Sequence, residues 1–338
     1  MLYVVVDGFF GDTGKGKVIS YLSVADDVDI VARGGVGPNA GHTVVYENRT
    51  YKLRQVPSGF VNPRSRLLIG PGVLVNPEVF LKELELTNTK GRVFMDHQTG
   101  IIEQKHIEED RGSSHLKNKI GTTGSGSGPA MRDRVMRILK LAKDYEFLKE
   151  YLTDVPYEVN SALDENKRVI LEGTQGTFLS LYHGTYPYVT SKDVTASAIC
   201  SDVGVGPKRV DEIVLVFKSY VTRVGGGPLE NEYSIEEAKK LGLLEIATVT
   251  GRIRRAAPFN FNYAKRAVML NSPTQIAITK IDVLFKEDFG KREWSKLSKE
   301  ARNFITNIED NLNVPVTLIS TGPDVKHTID RRKELGFV

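Results

Sequence analysis

Short apolar runs recur along the chain, at residues 2–6, 30–32, 67–69, 93–95, 169–171, 213–217, 276–278 and 316–319. They lack the polar alternation of a half-exposed strand, so the pattern predicts strands covered on both faces, as in a parallel sheet. Between them lie segments predicted as helices, at 77–86, 130–142, 235–241 and 297–311, with another beginning near Val18. Strands alternating with helices predict an α/β fold, a mostly parallel central sheet flanked by helices. In such sheets ligands bind beyond the carboxyl ends of the strands, so the polar residues after each run are where chemistry is expected. No internal repeat and no Pro- or Ser-rich linker divides the chain, and residues 1–338 are expected to form one domain.

The most specific of these strand ends is Gly11-Asp-Thr-Gly-Lys-Gly-Lys17, after the first run. A glycine-rich turn between strand and helix aims backbone N–H groups at one spot, where the helix dipole adds partial positive charge. The spacing is that of a P-loop, which makes the expected fold P-loop NTPase-like, but Val18 stands where a Ser or Thr would hold Mg²⁺. The dipole supplies only about 0.3–1 kcal/mol, so Lys15, Lys17 and a cation must do most to hold a polyanion. Asp12, inside the turn, would be repelled by phosphate unless a cation lay between them or the acid worked as a base.

Composition narrows the partners. With 338 residues, 40% hydrophobic and 26% charged, the chain has the make-up of a soluble globular protein. No stretch approaches the roughly 20 apolar residues of a membrane span, and the start reads as a first strand and not as a signal peptide. The one cysteine, Cys200, excludes an internal disulfide framework and fits a reducing cytoplasm. A net charge of +4 favours small anionic substrates over nucleic acid or membrane as partners.

Further clusters follow other runs. Arg33-Gly-Gly-Val-Gly-Pro-Asn-Ala-Gly-His42-Thr43 presents an imidazole from a glycine-rich loop, and Gly121-Thr-Thr-Gly-Ser-Gly-Ser-Gly-Pro129 offers donors without charge, unless it is only a linker. Glu172-Gly-Thr-Gln-Gly176 carries an amide that can donate and accept at a neutral base, or cap a helix. Thr248-Val-Thr-Gly-Arg-Ile-Arg-Arg255 concentrates guanidiniums that fork onto carboxylate or phosphate, or form a solvated basic surface. In Thr279-Lys-Ile-Asp282 the carboxylate can accept from N1–H and the 2-amino group of guanine, a donor pair adenine lacks.

Taken with Ile120-Gly-Thr-Thr-Gly, His183 to Thr190, Thr222-Arg-Val-Gly225 and Ser320-Thr-Gly-Pro-Asp324, these motifs run in order nearly end to end, and the chain resembles the adenylosuccinate synthetases. The resemblance implies a GTP-dependent C–N ligase of AMP biosynthesis that joins IMP to L-aspartate through 6-phosphoryl-IMP, giving adenylosuccinate, GDP and phosphate. It implies Asp12, His42, Lys15 and Gln175 as catalytic residues, and one Mg²⁺ per subunit on Asp12 and the Gly41 carbonyl. It places GTP on Gly11, Asp12, Thr13, Gly14, Lys15, Gly16, Lys17, Gly41, His42, Thr43, Arg254, Lys280, Ile281, Asp282, Ser320, Thr321 and Gly322. IMP falls on Asp12, Thr13, Gly14, Lys15, Asn39, Ala40, Gly41, His42, Thr123, Gln175, Thr190 and Arg252, with Arg137 reaching across a homodimer. Aspartate falls on Thr248, Val249, Thr250, Gly251, Arg252, Ile253 and Arg254.

The sequence departs from the family pattern where Phe9-Phe-Gly-Asp-Thr13 replaces Gln-Trp-Gly-Asp-Glu, in the glycine arrangement of residues 34–38, and in its shorter length. A regulatory GTPase would also use the phosphate loop and Thr-Lys-Ile-Asp, but gives no reason for the arginines at 252–255. A nucleic-acid-binding protein would not need the guanine-reading acid.

Overall fold

The computed structural model describes residues 1–247 and 251–337. Ten strands form the central sheet: β1 (Leu2–Asp7), β2 (Ile30–Arg33), β3 (Arg66–Ile69), β4 (Val93–Asp96), β5 (Leu152–Thr153), β6 (Val169–Glu172), β7 (Glu212–Lys218), β8 (Gln275–Thr279), β9 (Val316–Ser320) and β10 (Thr328–Asp330). Their spatial order is β10-β9-β8-β7-β1-β6-β2-β3-β4-β5. Every pairing is parallel except that of β9 with β10.

The apolar runs behave as their pattern predicts. Along β1, Leu2, Val4 and Val6 enter a core on one face, while Tyr3 and Val5 enter a second core on the other. The first core is closed by residues such as Val159, Ile199, Ala264 and Ile305, and the second by Val18, Ile19, Leu22, Phe80 and Leu84. Both faces are dry, which is why the runs carry no alternation.

Topology then fixes the site. β1 lies between β6 and β7, so the loop leaving its carboxyl end is flanked by the loops leaving those two strands. The chain leaves β1 through α1 (Lys15–Ala25) and returns beyond β6 as β2, opening a crevice at this switch in strand order.

Two local readings change. The helix expected over 130–142 spans Ser127–Val135 instead. Val135, Met136 and Ile138 are 70%, 63% and 65% exposed, so no buried face rewards further turns, and Arg137 ends the run with φ +64°. A hairpin of His42–Tyr46 with Arg49–Leu53, turning through Glu47 and Asn48 at positive φ, was not anticipated. The Arg254 region joins a small antiparallel sheet, Val221–Arg223 against Ile253–Ala257, which lays its arginines beside the phosphate loop.

Candidate active site

The phosphate loop turns at Gly11 (φ +97°) and Gly14 (φ +85°), and α1 starts directly after Gly14. A Cβ at Gly11 would come within 3.1 Å of the Gln175 backbone, so the loop packs tightly against the turn after β6. Phe10 beneath it lies 4.5 Å from the Arg223 guanidinium and 5.5 Å from the Phe178 ring. Lys15 is 3% exposed, and its Nζ donates to the Gln175 carbonyl at 2.7 Å and to Asp7 Oδ2 at 3.2 Å. Thr13, where the resemblance would put an acid, is buried and donates its hydroxyl to Asp7 Oδ2 at 2.5 Å.

Asp12 is already engaged. Its Oδ2 accepts a short hydrogen bond from the Thr222 hydroxyl and lies 3.2 Å from Arg254 Nε and 3.9 Å from Lys218 Nζ. Behind it Glu245 accepts from Lys218 Nζ at 3.0 Å and from Arg254 Nη1 and the Tyr220 hydroxyl. Burial alone would raise the Glu245 carboxyl, but Lys218, Lys280 and Arg254 together hold it well below the usual carboxylate range.

His42 is buried and held at one ring nitrogen. Its Nδ1 stands 2.7 Å from Glu172 Oε1 and 2.9 Å from Ser58 Oγ, while Nε2 is buried and without a hydrogen-bond partner among the described residues. Glu172 is itself fully buried and accepts from Arg33 Nη1 at 3.0 Å and from Ser58 N at 2.6 Å. Burial opposes its charge, yet His42, Arg33 and the Ser58 amide outweigh that and hold the Glu172 carboxyl low. Burial and the Arg33 charge lower the His42 pKa to about 4, leaving the imidazole neutral at physiological pH without ligands. An acceptor-only carboxylate at Nδ1 assigns the proton to that nitrogen and the lone pair to Nε2.

A cavity of about 400 Å³ opens beside these groups, lined by Gly11, Asp12, Asn39, Ala40, Gly41, Thr123, Gln175, Thr190 and Arg254 among others. Gln175 Nε2 and Asn39 Oδ1 are buried and unpartnered among the described residues, a donor and an acceptor with unspent capacity. Residues 121–128, possible as a linker from composition, are pinned instead: Arg252 donates to the Gly121 and Thr122 carbonyls at 2.8 Å each, and Arg111 to the Gly124 carbonyl at 3.1 Å. The loop 34–41 is held likewise, with Gly35 N on Asp202 and Val36 N on Thr174. Arg254 and Arg255 are turned onto Glu245, Asp12 and Glu232, so this stretch is not a solvated basic surface.

In the first turn of α1, on the other side from Lys15, Lys17 Nζ donates to Ser320 Oγ at 2.6 Å, the Gly322 carbonyl at 2.6 Å and the His327 carbonyl at 2.7 Å, and burial lowers its pKa to about 7. The structure thereby joins the two halves of the expected GTP set. Thr279 donates to the Thr13 carbonyl at 2.5 Å, Lys280 turns the chain at φ +62°, and Ile281 packs in the core. Asp282 follows with Oδ1 buried and unpartnered among the described residues, and burial raises its pKa against the pull of Lys280 and Lys17. Thr321 is buried, and Gly16 packs against His42, where a Cβ would stand 3.1 Å from the imidazole's own.

Some expected residues lie apart. Arg137 is exposed on the surface and does not line the cavity; Thr43 and Ile253 are also exposed. Gly251 is placed (φ +66°), whereas Thr248, Val249 and Thr250 lie outside the described residues. The residues not singled out beforehand share a signal. Asp7, Arg33, Glu172 and Lys218 each close a buried apolar strand, and each is at most 2% exposed. An ionisable residue directly after such a run must be paired or used.

The family described as adenylosuccinate synthetase matches residues 4–144 and 137–289. The adenylosuccinate synthetase of Archaeoglobus fulgidus is 56% identical over 331 residues, covering 98% of each chain. That of Methanocaldococcus jannaschii is 56% identical over 335 residues, covering 98% of this chain and 97% of its own. Among solved structures, a fully ligated adenylosuccinate synthetase from Plasmodium falciparum superposes with a TM-score of 0.90 at 26% identity, covering 97% of this chain and 99% of that one. A succinoaminodeoxyadenylate synthetase of cyanophage S-2L, bound to dGMP and dATP as an energy donor, gives 0.81 at 25% identity, covering 99% and 97%.

Proposed function

This chain belongs to the adenylosuccinate synthetase family and joins IMP to L-aspartate at the expense of GTP, and we propose that Asp12, Lys15, His42 and Gln175 carry that chemistry within one domain of residues 1–338. Asp12 takes the N1 proton of IMP, so that O6 attacks the γ-phosphorus and GDP leaves with the electrons of the broken P–O bond. The aspartate amine then adds to C6 of 6-phosphoryl-IMP, loses a proton, and inorganic phosphate departs. Phosphoryl transfer needs mainly positioning and charge neutralisation, which Lys15 and the loop donors supply. His42, proton-loaded at Nε2, steadies the transferring group, and Gln175 Nε2 donates to the purine. The observation that carries this reading is that Asp12 and Gln175 face one cavity with Gly41, next to an imidazole whose outer nitrogen is unpartnered among the described residues.

Arg254 is assigned to both GTP and aspartate. Its transfer from Asp12 to those anions would release the carboxylate for the purine. Mg²⁺ takes hard oxygen donors and keeps several waters. The Asp12 carboxylate and the Gly41 carbonyl line the same cavity and would hold one such ion per subunit, where it would neutralise phosphate charge. Among the described residues no cluster of three His, Cys, Asp or Glu side chains could hold a metal. Phosphate release from GTP is expected to require IMP and aspartate together; release with GTP alone at the full rate would mark a GTPase instead.

Guanine selection is assigned to Asp282. Asp282→Asn removes one acceptor from guanine's two donors and should raise the KM for GTP about tenfold or more, while XTP, whose C2 carbonyl can accept from the new amide, gains. Unchanged discrimination between GTP and XTP would remove the assignment.

A homodimer in the cytoplasm is the expected state; no helix among the described residues is long and apolar enough to cross a membrane. Exposed Arg137 sits between exposed Met136 and Ile138, a surface suited to a second copy whose IMP phosphate the guanidinium would reach. If so, Asp12→Ala and Arg137→Ala subunits, each weak alone, should recover about a quarter of normal activity when mixed, since half the dimers are hybrids with one intact site. No recovery on mixing would place Arg137 in its own subunit's site or in none.

A further inference from the structure

Asp7 ends β1 beneath the phosphate loop, and at 2% exposure its carboxylate is buried among donors. Oδ1 accepts from Phe9 N at 2.7 Å and Gly11 N at 3.2 Å. Oδ2 accepts from Thr13 N at 3.1 Å, Thr13 Oγ1 at 2.5 Å and Lys15 Nζ at 3.2 Å. Every second amide of the turn therefore points at a side chain and not at a ligand. A turn of this kind forms a concavity of amides that binds an anion; here the Asp7 carboxylate takes alternate amides of it from inside.

The surroundings are fitted to that carboxylate. A Cβ on Gly176 would lie 2.5 Å from Asp7 Oδ1 and 2.4 Å from Gly11 N, so the turn after β6 passes the loop with no room for a side chain. The Thr177 hydroxyl donates to the Asp7 carbonyl at 2.7 Å, tying the same turn to the end of β1. Lys15 Nζ is suspended between Asp7 Oδ2 and the Gln175 carbonyl. Asp7 thus sets the position of the lysine relative to both the loop and the residue whose amide faces the cavity.

We propose that Asp7 is a positioning residue for phosphoryl transfer, an internal carboxylate that, by taking the Gly11 and Thr13 amides, holds the loop and Lys15 in the geometry GTP requires. The proposal rests on the ligase reading above in that Lys15 acts on the transferring phosphoryl group. It follows that the Gly11 and Thr13 amides are committed to Asp7, and that the phosphate contacts of this loop come from its remaining groups and the start of α1. Because Thr13 Oγ1 stands 2.5 Å from Asp7 Oδ2, a carboxylate carried at position 13 would fall into the same nest of donors.

The test compares Asp7→Ala, Asp7→Asn and Asp7→Ala/Thr13→Glu with the parent protein. Turnover is counted per site that binds a fluorescent GDP analogue, so unfolded protein does not enter the rate. Both single variants are expected to lose on the order of a hundredfold in that turnover, the cost of a misplaced catalytic group, with the KM for IMP and for aspartate changed by less than about threefold. The double variant is expected to recover at least about tenfold. Where Asp7→Ala does not fold, Asp7→Asn, which keeps the volume, carries the comparison. Full turnover per site in Asp7→Asn, a double variant no faster than Asp7→Ala, or equal rises in all three KM values would overturn the proposal. Parent protein that releases phosphate without IMP and aspartate would instead overturn the ligase reading, a result visible before any variant is made.

Discussion

Asp12→Ala is expected to lower turnover at saturating GTP, IMP and aspartate by at least about a hundredfold, the low end for removing a general base. The expectation comes from what the carboxylate touches. Asp12 sits in the phosphate loop, accepts from Thr222 and lies 3.2 Å from Arg254 Nε, so it shares the mouth of the cavity with an arginine assigned to two of the three substrates. Taking the acid away leaves Arg254 and Lys218 on Glu245, which pairs with both, so the loss should appear in rate far more than in folding. Asp12→Asn separates the possible reasons. It keeps the volume and can still accept from Thr222, but it cannot take a proton, and it should be as slow as Ala. The readout is inorganic phosphate released when all three substrates are present. Near-normal turnover in either variant would contradict the role assigned to this side chain.

How legible the site is in the sequence depends on what each residue answers to. β1 and β7 could be read directly because each is buried on both faces, and a continuous apolar run is the only pattern that permits this. The phosphate loop and Thr279-Lys-Ile-Asp282 were visible because their glycines and charges sit at fixed offsets from such runs. The pattern misleads after the Ser127–Val135 helix because Val135 and Ile138 carry helical spacing without a core to face. Apolar periodicity records burial only when something covers the face.

Less legible was the layer that orients the chemistry. Glu172 stood inside a quoted motif, but nothing local says that it meets His42 and Arg33, more than a hundred residues away along the chain. Asp7 and Lys218 each directly follow an apolar run, with nothing in the run to say what they meet. The donors on Asp7 come from the next eight residues but converge on it only once the turn is folded, and Lys218 meets Asp12 through the parallel pairing of β1 with β7, neither of which spacing encodes. The readable part of that signal is an ionisable residue directly closing an apolar run, and in this sheet it marks the ring of buried charges around the loop.

That ring also sets the expectation for His42. His42→Ala should cost at least about a hundredfold in turnover, because it removes the imidazole that directly follows the cavity-lining residues 39–41. Glu172→Gln should approach the same loss by a different route. Without ligands the imidazole is neutral, its pKa lowered to about 4 by burial and by Arg33, so it must gain a proton as the negative phosphates of GTP arrive. The Glu172 carboxylate at 2.7 Å from Nδ1 is the group that stabilises the resulting imidazolium, and an amide there cannot. Gln at 172 also deprives buried Arg33 of its carboxylate, a change worth roughly 3–5 kcal/mol of stability, so the rate must be measured on protein shown to be folded, with GTP and IMP bound. The decisive measurement is the double variant. If Glu172 acts through His42, then His42→Ala/Glu172→Gln is no slower than His42→Ala alone, the strong non-additivity expected of residues that work as one unit. Losses that multiply would mean that Glu172 serves the fold or another group, and that the proton on His42 is governed by something else.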